Sequence, residues 1–116
     1  MKFLIALAIV AFAGVQDSTV YTPGNGVSLP QVVSQVKAEY TSEAMQNRIE
    51  GKVGLDVVVL SDGKVGDVTV VESLDSIYGL DANAVKAMKQ WNFKPGTKDG
   101  KPVAVRVHVL INFTLK

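Results

Sequence analysis

The chain has 116 residues, 47% of them apolar and 20% charged, a balance that fits one packed domain and excludes a disordered tail. Twelve basic against eleven acidic residues leave a net charge of +1, with no field to gather nucleic acid or an anionic membrane surface. Cysteine is absent, which excludes disulfide staples, soft metal sites and lipid attachment at a thiol.

Residues 1–13, MKFLIALAIVAFA, join one lysine, an apolar run and a small-x-small end at Ala11 and Ala13. This is the pattern of a secretory signal peptide cleaved after Ala13. Thirteen helical residues cover about 20 Å against a hydrocarbon core of about 30 Å, so a span is the weaker reading. The alternative is an uncleaved anchor over residues 3–15. Loss of residues 1–13 removes Lys2 and no acid, leaving eleven bases and eleven acids.

Residues 14–36 read as an extended arm, because Pro23-Gly24-Asn25-Gly26 breaks every period, and the domain proper is expected over residues 37–116. The stretch QVVSQVKAEY after Pro30 has too little periodicity for one assignment; it forms a helical turn or lies along the domain. The first firm helix is TSEAMQNRIEG, with Thr41 or Ser42 as cap and Gly51 as a left-handed stop. Its expected buried face is Ala44, Met45 and Ile49, with Arg48 at the margin. A helix this short must lean on a sheet to persist.

KVGLDVVVLSDGKVGDVTVVE is the clearest element: two β-branched runs about Asp62-Gly63, a dipeptide that accepts positive φ at both corners of a type I′ turn. With Ser61 opposite Lys64, Leu55 faces Val70, Val57 faces Val68 and Val59 faces Gly66. That register collects Val53, Leu55, Val57, Val59, Val68 and Val70 on one face.

LDANAVKAMKQW then repeats apolar residues at helical spacing, Leu80, Ala84, Ala87, Met88 and Trp91, with Asp81 expected as cap and Leu80 and Val85 as a staple. The helix is expected to run to about Trp91, where Phe93-x-Pro95 forces extended backbone and turns the chain. Lys94, Lys98 and Lys101 form a basic turn, read as a solvated connection. PVAVRVHVLINFTL alternates throughout, with Val103, Val105, Val107, Val109, Ile111 and Phe113 on one face and Arg106, His108, Leu110 and Asn112 on the other.

Helix, hairpin, helix, strand predicts a two-layer α+β domain: a three-stranded antiparallel sheet in the order 2-1-3, with both helices on one face. The C-terminal strand then keeps an open edge over Val105, Arg106, Val107, His108, Val109, Leu110, Ile111 and Asn112. Such an edge accepts an extended peptide by strand addition. Its other fates are pairing with a second copy or coverage by the N-terminal arm.

Catalysis needs convergent groups, and one histidine without cysteine supplies little material for a dyad or a metal cluster. His108 reads as a surface residue. Asp56 and Asp67 share the polar sheet face, where solvation accounts for them better than an acid pair. The chain is therefore read as a non-enzyme without metal, cofactor or small-molecule substrate.

In order and spacing, Tyr40, RIEG at 48–51, DG at 62–63 with KVGDVTV, AVKAMKQWNFKPG at 84–96 and GKPVAVRVHVLINF at 100–113 resemble the TonB C-terminal domain family. Gly51, Asp62, Gly63, Trp91, Phe93 and Pro95 belong to that signature. The resemblance implies a periplasmic module of energy transducers for transmembrane transport, whose partner is a short peptide, the TonB box, of outer-membrane receptors. It implies that the last strand is the gripping edge, with Lys37 and Tyr40 ahead of the first helix as receptor contacts. Of the family's Gln-Pro-x-Tyr-Pro motif, only the tyrosine stands in Lys37-Ala38-Glu39-Tyr40-Thr41. A cleaved signal and a short arm predict a domain free in the periplasm, which could not pull; an inner-membrane anchor at residues 3–15 is the alternative. A homodimer or an assembly role in the cell envelope is the rival to peptide binding.

Overall fold

The computed structural model describes residues 19–115. The expected signal segment lies outside the described residues, as does the start of the arm. Nine elements follow in chain order: β1 (Val20–Tyr21), β2 (Gln31–Ser34), α1 (Ser42–Gln46), β3 (Gly51–Val59), β4 (Val65–Glu72), α2 (Leu80–Met88), β5 (Asn92–Lys94), β6 (Gly96–Lys98) and β7 (Lys101–Phe113).

The domain is α+β, but the expected three-stranded sheet is corrected to one of five strands. Its path is β1-β7-β3-β4, with β6 also on β7, and β2 and β5 form a separate two-stranded ribbon. β3 is central, antiparallel to β7 from Gly51 opposite Phe113 to Val59 opposite Val105. Period-2 alternation in β3 turns Val53, Leu55, Val57 and Val59 toward the helices, where each is fully buried. They pack with Ala44 of α1, with Leu80, Ala84 and Met88 of α2, and with Trp91, Phe93, Ile111 and Phe113.

The hairpin keeps Leu55 opposite Val70 and Val57 opposite Val68, whereas Val59 pairs with Val65 rather than Gly66. The turn explains the slip. Gly63 N–H donates to the Leu60 carbonyl at 2.8 Å and Leu60 N–H to the Lys64 carbonyl at 2.8 Å, so three residues are looped out. Gly63 is left-handed at φ 87° and Asp62 is not, the signature of a turn followed by a glycine bulge. Gly63 is also required by crowding, since a Cβ there would lie 2.1 Å from the Phe93 carbonyl oxygen. The two-residue turn with both corners positive sits instead at Asp99 (φ 53°) and Gly100 (φ 80°), joining β6 to β7 with Lys98 opposite Lys101.

Both helices are shorter than their periodicity predicts. Thr41 is the cap of α1, its hydroxyl accepting from Ala44 N–H at 3.1 Å and donating to the Tyr78 carbonyl at 2.7 Å. Arg48, not Gly51, takes the left-handed position after α1, and Met45 is exposed instead of buried. α2 ends at Met88 because Gln90 and Trp91 N–H groups close tighter i→i+3 bonds onto Ala87 and Met88. Trp91 is buried but outside the helix, and Pro95, without an N–H, separates β5 from β6 rather than stopping α2.

Asp81 is not the cap of α2. Its carboxylate accepts from the Leu74 and Asp75 amides, each at 3.0 Å, and Ser73 donates to it as well. The N-cap position is Gly79, which has no side chain to offer; Asp75 reaches across the loop instead, accepting from Leu80 N–H at 3.1 Å and from the loop amides of Ile77 and Tyr78 at 3.0 and 2.8 Å. Burial opposes its ionisation, and the three amides outweigh burial, holding the carboxyl below its ordinary range.

The arm carries structure that its sequence does not announce. β1 runs parallel to the start of β7, and β2 pairs antiparallel with β5, Val32 opposite Phe93. Every residue of β2 is exposed, so no alternation marks it; backbone pairing alone makes it a strand.

Candidate functional site

β7 has β3 on one side along Val105–Phe113. On the opposite side β1 meets it only at Ala104 and Val105. From Arg106 to Phe113 that outer edge has no strand partner among the described residues. A bare edge offers its unpaired N–H and C=O groups as a template for one more strand.

The side chains along this edge alternate. Val105, Ile111 and Phe113 are buried in the core, Val107 and Val109 are half-buried, and Arg106, His108, Leu110 and Asn112 are exposed. An added strand would therefore meet the flank of the core on one side and a polar, accessible row on the other. Gln35, Val36, Lys37 and Ala38 border an open depression with Leu110, Ile111, Asn112 and Trp91. Trp91 fixes its floor: the indole N–H donates to the Val36 carbonyl at 3.0 Å, and the ring lies 6.1 Å from that of Phe93.

Lys37 is exposed and lines the depression. Tyr40 is placed differently. Its hydroxyl donates to the Ile49 carbonyl at 2.7 Å and its ring stands edge-on to Phe113 at 5.3 Å. Burial and then the nearby Glu50 carboxylate push its hydroxyl pKa up. The tyrosine thus ties the segment ahead of α1 to the end of β7, although it still borders a shallow opening with Lys37.

Of the signature residues, Gly51 and Gly63 hold positive φ, Trp91 and Phe93 are core, and Asp62 accepts from Lys64 N–H at 3.0 Å inside the turn. They shape the domain, and Trp91 also lines the depression beside β7. His108 sits opposite Asp56 on the sheet face away from the helices, Nδ1 to Oδ1 at 3.3 Å, with the imidazole exposed and Asp56 half-buried. No group of three or more potential metal ligands converges among the described residues. No helix among them is long and apolar enough to cross a membrane.

Coverage of this edge by the arm was one of the fates expected of it, but which residues do so was not legible: Val20 and Tyr21 pair with the start of β7, and Gln35–Ala38 lie beside its far end. Only Pro23, which must end a strand ladder, marked any of it.

Residues 36–115 match the family model described as Gram-negative bacterial TonB protein C-terminal. The chain belongs to this family. Against the protein TonB of Vibrio cholerae the identity is 36% over 91 residues, 78% of this chain and 37% of that protein. Against the protein TonB of Escherichia coli K12 the identity is 29% over 85 residues, 73% and 35% of the two chains. The chain thus spans little more than a third of these relatives. The solution NMR structure of the Pseudomonas aeruginosa TonB C-terminal domain superposes with a TM-score of 0.62 at 25% identity, covering 85% of this chain and 97% of that one.

Proposed function

We propose that this TonB C-terminal domain is a periplasmic interaction module that binds an extended peptide segment of an outer-membrane receptor by strand addition to β7. Its role would lie in energy-dependent transmembrane transport. The observation that carries the reading is the bare outer edge from Arg106 to Phe113, bordered by the depression under Gln35–Ala38. Backbone pairing supplies affinity in this mode, and alternate side chains supply selectivity. Arg106, His108, Leu110 and Asn112 are the accessible row that would read the peptide, and Lys37 faces it across the depression. The domain acts without catalysis or cofactor.

The test is amide exchange with a TonB-box-like heptapeptide in large excess. Protection should rise within residues 106–113; unchanged exchange there sinks the reading. A second reading rests on the same bare edge: two copies, or an envelope partner, pair through β7. Sedimentation over a concentration series separates them, since a monomer at high concentration removes self-pairing.

A further inference from the structure

The upstream end of the proposed edge is closed by the protein's own chain. β1 is two residues long, Val20 opposite Ala104 and Tyr21 opposite Val105. Pro23 sets that length, because it has no amide hydrogen to continue a ladder. Beyond it Gly24 and Val27 exchange backbone bonds at 3.1 and 3.0 Å, turning the chain away from β7.

Contacts with β6 hold this turn in place, among them an antiparallel bridge between Val27 and Lys98. Lys98 Nζ lies 5.2 Å from the centroid of the Tyr21 ring. Ser28 N–H donates to the Thr97 carbonyl at 2.8 Å, and Thr97 N–H donates to Ser28 Oγ at 2.9 Å. Gly96 lets the arm close on β6, since a Cβ there would come within 2.5 Å of Ser28 O and 2.7 Å of Val105 Cγ2.

A strand added to an edge open at both ends can slip by two residues without changing which side chains face the core. Slippage loses that freedom when one end is blocked. We propose that β1 is a register stop: it ends the site at Val105, so that an added strand fills Arg106–Phe113 and finds no pairing beyond it. The stop rests on the strand-addition reading and adds to it a ligand length, eight residues from 106 to 113 inclusive, or about 26 Å of extended chain.

The test uses blocked, lysine-tagged peptides of roughly six, eight and ten alternating threonine and valine residues. Each is titrated against the full chain and against a variant carrying Val20→Pro and Tyr21→Pro. Neither residue belongs to the buried core, and a far-UV circular dichroism spectrum and thermal midpoint matching the intact protein check that the variant is folded. In the intact protein affinity should rise to the eight-residue peptide and then level off, with Ala104 and Val105 exchange unaltered by any of them. In the variant the ten-residue peptide should bind about fivefold tighter than the eight-residue one, the effect of roughly one net hydrogen bond.

A continued gain in the intact protein, with new protection at Ala104 and Val105, overturns the stop, as does levelling off at the same length in the variant. Binding by the variant alone also overturns it, since β1 would then be a plug. Binding by neither protein removes strand addition itself, and the stop with it.

Discussion

Asp75 places a carboxylate inside the domain and gives it three backbone amides, from Ile77, Tyr78 and Leu80. Replacing it with alanine strands those donors and should cost about 3 kcal/mol, read from urea unfolding at neutral pH. The pH dependence has a definite sign. The folded pKa lies below the unfolded value, so the carboxylate's contribution is complete above the unfolded pKa of about 4 and is lost as pH falls through the folded pKa. Unfolding curves at neutral and acid pH should therefore converge more for Asp75→Asn than for the native protein. Gly63→Ala is expected to be worse than its size suggests. The added methyl meets the Phe93 carbonyl and the φ of 87° strains any L-residue, so a loss above about 1 kcal/mol should appear in the same assay.

Between α2 and β7, Trp91 joins three elements: it follows the helix, stacks near Phe93 of β5 and bonds the arm at Val36. Trp91→Ala should lower stability by about 3 kcal/mol, and the loss should be visible in thermal unfolding before any binding assay is informative. The elements that sequence made legible are those whose side chains repeat. β4 and β7 alternate because one face packs toward the core, β3 is a β-branched run buried over most of its length, and the sheet that holds them follows from those patterns. The bulge at Gly63 was not legible, since Asp-Gly serves a three-residue loop as well as a two-residue one, and Asp99-Gly100 took the two-residue geometry. Capping misled for a similar reason: Asp75 and Asp81 are both near the start of α2, and only the fold of the Ser73–Leu80 loop decides which one reaches its amides. β1 and β2 left no pattern at all, because their partners are backbone groups of distant strands.

Across the whole molecule the candidate edge was legible as an antiparallel strand at the end of the sheet, and its true extent was not. The limit at Val105 depends on where residues 20 and 21 dock, a contact separated by more than eighty residues of chain. The expected processing of the N-terminus is open to one measurement. N-terminal sequencing should find Gly14 as the first residue of the protein in the periplasmic fraction; a retained Met1 in the inner membrane would make the domain an anchored one.

The chain contains a single tryptophan. It lies at the floor of the depression beside Leu110, Ile111 and Asn112, with its indole nitrogen committed to the arm. The protein therefore carries its own optical probe of that groove. A strand entering there would change what packs against the exposed margin of the ring and with it the emission, so occupancy could be followed in real time with no label attached to either partner.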